Sequence, residues 1–124
     1  MLRTLLLIAA GGALGSVFRY LMSLLVNKYF AAVFPLATFT VNLLGCFLIG
    51  MLIGLLDKHQ LGNGFKWFLI TGFCGGFTTF SAFGVENYNL LTSQNTPTAL
   101  VYIGASVLGG ILAVWGGLSV TMNY

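Results

Sequence analysis

The residues of this chain that are equipped for chemistry are few and gathered in one place. From Gly72 to Phe83 the sequence reads G-F-C-G-G-F-T-T-F-S-A-F, setting glycines, hydroxyls and phenylalanines inside a stretch that is otherwise plainly hydrophobic. Gly75-Gly76 has low helical propensity and Thr78-Thr79 offers the backbone competing hydrogen bonds, so a helix here is expected to break near its middle. In hydrocarbon, freed N–H and C=O groups are tolerated only where protein or a water-filled cavity satisfies them. Two uses of such a segment stand side by side. One is a kink that eases packing. The other is a ring of inward carbonyls, completed by a second copy, giving hard-oxygen coordination to a small cation.

Phe77, Phe80 and Phe83 recur every three residues and read as one aromatic ridge. A ring edge carries partial positive charge, so rings turned edge-on attract an anion without a counter-charge, whereas rings turned to lipid or core only fill space. Thr79 and Ser81 place hydroxyl donors beside them. Asn42 is the polar outlier of an earlier apolar stretch, with Thr38 one turn before it on the same face. Its amide offers two donors to an anion, or glues helices together for about 1 kcal/mol. Arg19 lies inside the first apolar stretch, where it faces a water-filled cavity or snorkels to an interface. Glu86 is the only acid in the hydrophobic part of the chain, available to pair with Arg19 or a tyrosine or to serve in transport.

Other chemistry is missing. The only histidine, His59, lies in a loop with Asp57, so no Ser/His/Asp set forms. Gly72-x-x-Gly75-Gly76 lacks the lysine of a phosphate cradle. Cys46 and Cys74 sit in apolar stretches without a CxxC pair and read as small buried residues. The sequence reads as no enzyme.

The elements that must position these groups follow from composition. Of 124 residues, 58% are hydrophobic and 6% charged, which excludes a soluble globular class and marks an all-α integral membrane protein. Four apolar stretches, residues 4–26, 33–56, 65–91 and 98–120, reach the ~20 residues that cross the hydrocarbon core. They are read as a single four-helix transmembrane domain over residues 1–124. Met1-Leu2-Arg3 before an apolar run imitates a signal peptide, but the run continues past Arg19 to Val26 and is expected to stay as the first helix. Small residues four apart, Gly11 with Gly15, Gly12 with Ser16, Gly50 with Gly54 and Ser106 with Gly110, suit close helix contact. With four spans, Arg3, Lys58 and Lys66 fall on one side and Lys28 on the other, a bias too weak to fix one orientation. The net charge of +3 is accordingly no sign of nucleic acid. Four helices fill their own core, so a pathway calls for a second copy.

Taken together, Gly11-Gly12-Ala13-x-Gly15 followed by Arg19-Tyr20, then Thr40-Val41-Asn42-x-x-Gly45, then the segment from Gly72 to Phe83, resembles the Fluc family of microbial fluoride channels. The resemblance implies an antiparallel, dual-topology homodimer in the cell (inner or plasma) membrane that exports fluoride passively from the cytoplasm, relieving its toxicity through two pathways at the subunit interface. It implies that Phe80 and Phe83 turn ring edges to fluoride, that Asn42 donates to the ion, and that Thr79, Ser81, Tyr102 and Ser106 are further stations. Glu86 would stand near the far end of the pathway and Arg19 in the vestibule. Backbone carbonyls of Gly75 and Thr78 from both copies would hold a structural sodium ion. Ala82 departs from the family pattern, where a threonine is expected. The competing reading is a small dimeric proton-coupled multidrug or cation exporter, which needs a carboxylate in its substrate cavity; only Glu86 is placed to supply one.

Overall fold

The computed structural model describes residues 1–122, and every regular element among them is helical. Four helices are long and apolar enough to cross a membrane: Leu2–Tyr29, Leu36–His59, Asn63–Thr92 and Thr96–Met122. The shortest has 24 residues; at a rise of ~1.5 Å each it covers roughly 36 Å, more than the ~30 Å hydrocarbon core. The chain is a multi-pass membrane protein. Each helix ends one to three residues past its apolar stretch, because end residues such as Asn27, Lys28, Lys58 and His59 keep the helical hydrogen bonds while reaching water, but the second begins at Leu36 and not at the expected 33. Pro35, without an N–H, stands immediately before the second helix, and Gln60, in the left-handed region at φ 48°, ends it. Gln94, at φ 61°, turns the chain from the third span into the fourth.

Glycines set how the spans pair. A Cβ at Gly11 or Gly15 would overlap the carbonyl oxygens of Phe68 or Phe73, and one at Gly76 would lie 2.5 Å from that of Gly12. The first helix and the third span therefore touch backbone to backbone. The second and fourth helices do the same through Gly50 against Val114 and Gly117 against Phe47. Lipid gives no hydrophobic drive between helices, so such close approach is how they gain dispersion contact. Outward faces stay apolar, as with Leu14, Val17, Phe18 and Leu21 on the first helix and Leu108, Ile111, Leu112 and Trp115 on the fourth. Toward the turn between the third and fourth spans, Leu90, Ala99 and Tyr102 form a small core packed by Phe34, Phe39 and Phe83.

The third span is irregular along half its length. Between Lys66 and Cys74 it widens to π-helical turns, and the Gly75 N–H is shared by the carbonyls of Ile70 and Gly72, passing over that of Thr71. Gly75–Phe77 is α-helical. Thr78 (φ −79°, ψ 157°) and Thr79 (φ −148°, ψ 118°) are extended, and helix resumes over Phe80–Thr92. The glycine pair itself thus stays helical, unlike its sequence reading. Gly76 is small because the backbone of Gly12 crosses it, while the β-branched threonines carry the extended conformation they prefer.

Candidate functional site

The two extended threonines free backbone groups that an unbroken helix would have paired, and neighbouring side chains take them up. The Thr79 N–H donates to Asn42 Oδ1 at 2.8 Å, and Asn42 Nδ2 donates back to the Thr79 carbonyl at 3.1 Å. Thr79 Oγ1 accepts from the Ala82 N–H at 3.2 Å, capping the helix that restarts there, and lies 3.3 Å from Ser81 Oγ. The Thr78 hydroxyl donates to the Cys74 carbonyl at 2.9 Å. In a continuous helix the Gly75 carbonyl would accept from the Thr79 N–H, and the Thr78 carbonyl from the Ala82 N–H. Both donors are engaged elsewhere, so these two carbonyls lose their helical partners.

Beside this break lies an open groove of about 470 Å³, lined among others by Asn42, Thr71, Gly75, Thr78, Thr79 and Phe80. Gly75 and Ser81 are exposed, and Phe80 is 83% exposed, more than any other large hydrophobic side chain of the described residues except Met1. Phe80 and Phe83 are neighbours, with ring centroids 5.6 Å apart and planes tilted by 33°. Phe83 meets Tyr102 edge to face at 5.0 Å, and Tyr102 meets Phe34 in the same way at 5.2 Å.

Glu86 anchors the far end of this file. Its Oε1 accepts from the Thr38 hydroxyl at 2.5 Å and its Oε2 from the Tyr102 hydroxyl at 2.7 Å. The acid therefore pairs with a tyrosine and a threonine, and not with Arg19, which lies half-buried on the first helix. Tyr102 is fully buried. Ser106 Oγ and Asn87 Oδ1 are buried without a hydrogen-bond partner, while Asn87 Nδ2 donates to the Phe83 carbonyl at 2.9 Å. A smaller hollow of about 270 Å³, with Glu86, Asn89, Ser93 and Asn95 in its lining, opens at this end.

Most of the residues singled out by sequence fall along this one line. Asn42, Thr79, Ser81 and Phe80 gather at the break, and Phe83, Tyr102 and Glu86 continue from it. Phe77 does not belong to the ridge. It is 4% exposed and stacks on Phe73 at 5.9 Å, because the extended residues between 77 and 80 break the three-residue repeat. Three residues were not among the candidate site residues: Thr38, Thr71 and Asn87. Thr38 carried a signal in sharing a face with Asn42, but its partner is 48 positions away. Thr71 becomes notable only through the π-helical turns, and Asn87 only through its unpaired oxygen.

These features define a helical membrane protein whose third span is opened beside a file of hydroxyls, an amide and aromatic rings. The chain belongs to the CrcB family: the model described as CrcB-like protein, Camphor Resistance (CrcB), matches residues 6–118. It is 51% identical over 118 residues to a protein of Flavobacterium psychrophilum named fluoride-specific ion channel FluC, covering 94% of this chain and 95% of that one. A protein of the same name from Azobacteroides pseudotrichonymphae is 47% identical, with 98% of each chain covered. Another, from Leptospira interrogans, is 43% identical over 98% of this chain and 97% of its own.

Proposed function

We propose that this protein is a passive, fluoride-selective ion channel that lets fluoride leave the cytoplasm across the cell membrane, working as an antiparallel, dual-topology homodimer with two pathways. As a member of a channel family it is not an enzyme. The observation that carries the reading is the open groove at the break, where Phe80 is 83% exposed beside the Asn42–Thr79 clasp. In a membrane protein a site so unfinished calls for a second copy, and the relatives' names give the ion. Fluoride is small and strongly hydrated, so a pathway must replace its water with short donors and narrow the track against larger halides. The second N–H of Asn42 Nδ2, the hydroxyls of Thr79 and Ser81, and the ring edges of Phe80 and Phe83 are the donors for that role. Tyr102, Ser106 and Glu86 would continue the track, with Arg19 lending positive potential to the vestibule.

A structural sodium ion fits this chain on a local ground. The Gly75 and Thr78 carbonyls have lost their helical donors to Asn42 and Thr79, and unpaired carbonyls in hydrocarbon need a partner. Contributed by two copies, they make a hard-oxygen cage suited to sodium. The ion would offset their unmet acceptor capacity and raise dimer stability by mass action. The test is fluoride efflux from liposomes containing the purified protein, with a potassium ionophore to balance charge. Fluoride should leave without a proton gradient and chloride should stay. Efflux that requires a proton gradient would turn the reading to a coupled exporter, and equal chloride flux would remove the selectivity.

A further inference from the structure

Where the first helix begins and the third span begins, two hollows share Arg3, Leu7, Gly62 and Gly64 in their walls. One, of about 450 Å³, adds Thr4, Asn63 and Trp67; the other, of about 320 Å³, adds Phe65 and Phe68. The first is therefore lined by a guanidinium, a hydroxyl, an amide and an indole, and the second mainly by leucine and phenylalanine. Neither wall contains an acid. The chain has only two, Asp57 and Glu86, and Glu86 is bound to Thr38 and Tyr102. A cation beside hydrogen-bond donors, adjoining an apolar slot at the end of two membrane spans, has the chemistry of a lipid's phosphate and the start of its acyl chain. Arg suits phosphate because its planar donors engage two oxygens at once. Trp67 supplies the amphipathic ring that favours the headgroup level. Lys66, near the same end, adds positive potential, while Lys58 is offset by the adjacent Asp57.

We infer that this double hollow is a binding site for one anionic phospholipid per copy, its phosphate on Arg3 and Thr4 and its first acyl segment between Leu7, Phe65 and Phe68. The site is distinct from the groove at the break and does not depend on what the channel conducts. Its glycines leave the space open. A Cβ at Gly62 would meet nothing within 4 Å, and one at Gly64 would rest at an ordinary 3.6 Å from Leu7 Cδ1. A leucine at 64 would accordingly set its Cβ beside Leu7 without striking backbone.

The chain has two tryptophans, and Trp115 faces outward on the fourth helix, so Trp115→Phe leaves Trp67 as the single reporter. The full chain in phosphatidylcholine nanodiscs is titrated with phosphatidylglycerol brominated on its acyl chain. Trp67 quenching should saturate at low mole fraction, at least tenfold below the fraction of brominated phosphatidylcholine needed for the same effect. Arg3→Gln should bring the two lipids together, Arg3→Lys should restore part of the preference, and Gly64→Leu should reduce quenching by both. Circular dichroism keeps a folding failure from being counted as loss of binding. Equal quenching by both lipids in the parent protein would overturn the inference. So would an Arg3→Gln variant that keeps the preference. Inorganic phosphate that displaces the brominated lipid at equal concentration would mark the site as one for free anion instead.

Discussion

Replacing Asn42 by Asp tests the clasp at the break with the smallest change of shape. The remaining oxygen still accepts from the Thr79 N–H, but the group that donated to the Thr79 carbonyl at 3.1 Å becomes a second acceptor. Losing that bond and leaving a half-buried carbonyl facing an oxygen costs about 1–3 kcal/mol, which lowers the population of the closed clasp by about five- to 150-fold at ~1.4 kcal/mol per decade. An ionised carboxylate also repels a passing anion, by about 4 kcal/mol at ~4 Å and an effective dielectric of ~20. The two effects together push fluoride efflux down by roughly three decades or more, below detection in a liposome assay. Asn42→Ala removes both bonds but adds no charge, and water in the open groove can reach Thr79. Its flux should fall less than that of the Asp variant. The measurement is efflux at matched protein density, with thermal unfolding to report the clasp separately. A folded Asp variant conducting at the wild-type rate would refute both the donor role and the electrostatic argument. A variant that loses stability while conducting normally would leave Asn42 as a helix fastener only.

Phe80→Ile and Phe83→Ile keep bulk and hydrophobicity while deleting the ring quadrupole, so each should cut fluoride efflux far more than it lowers the yield of folded protein; equal losses in both would make the rings simple filling. Gly15→Ala puts a methyl against the Phe73 carbonyl and should sharply reduce folded protein on gel filtration, whereas Gly84→Ala, where a Cβ meets nothing within 4 Å, should be harmless. Exchanging sodium for a large organic cation should shift the subunit equilibrium toward monomers in detergent, read by light scattering; an equilibrium unmoved by sodium would argue against the carbonyl cage. A cysteine at Leu61, in the turn of residues 60–62, on a background lacking Cys46 and Cys74, should be labelled from both sides of the membrane, and one-sided labelling would exclude the antiparallel pairing.

Hydropathy was enough to find the membrane spans, because nothing in water competes with lipid for stretches this apolar. The chemistry of the third span was legible as composition but not as geometry. Paired glycines and paired threonines both weaken a helix, and sequence alone does not say which pair carries the irregular backbone. The deciding fact is non-local: Gly76 meets Gly12 across the first helix and has its size fixed by that contact. Asn42 shows the same limit. Helix glue and donor were set against each other as alternatives, yet its amide fastens a span through Thr79 and retains one N–H. Glu86 was readable as an acid that pairs with Arg19 or with a tyrosine, or serves in transport, but finding Thr38 and Tyr102 and not Arg19 as its partners required knowing which helix faces it. Phe77 was misplaced because a three-residue repeat predicts a ridge only while the helix continues.

What distinguishes the break from an ordinary kink is the order in which its hydrogen bonds are met. Asn42 and the Thr79 side chain satisfy two of the donors that the extended residues release, the N–H groups of Thr79 and Ala82. They do so by withdrawing those donors from Gly75 and Thr78, which leaves these two carbonyls without their helical partners. A span whose spare carbonyls line the same groove as donors, hydroxyls and a phenylalanine ring brings preferences for cation and anion together within a few residues. On the reading proposed here that juxtaposition is what a second, inverted copy uses. The carbonyls would meet their own image and hold a cation, while the donors would stay free for an anion. An apolar or glycine-only kink offers no such pairing of acceptors with donors, which is why the Asn42 clasp, more than the glycine pair, suits this segment to the proposed ion pathway.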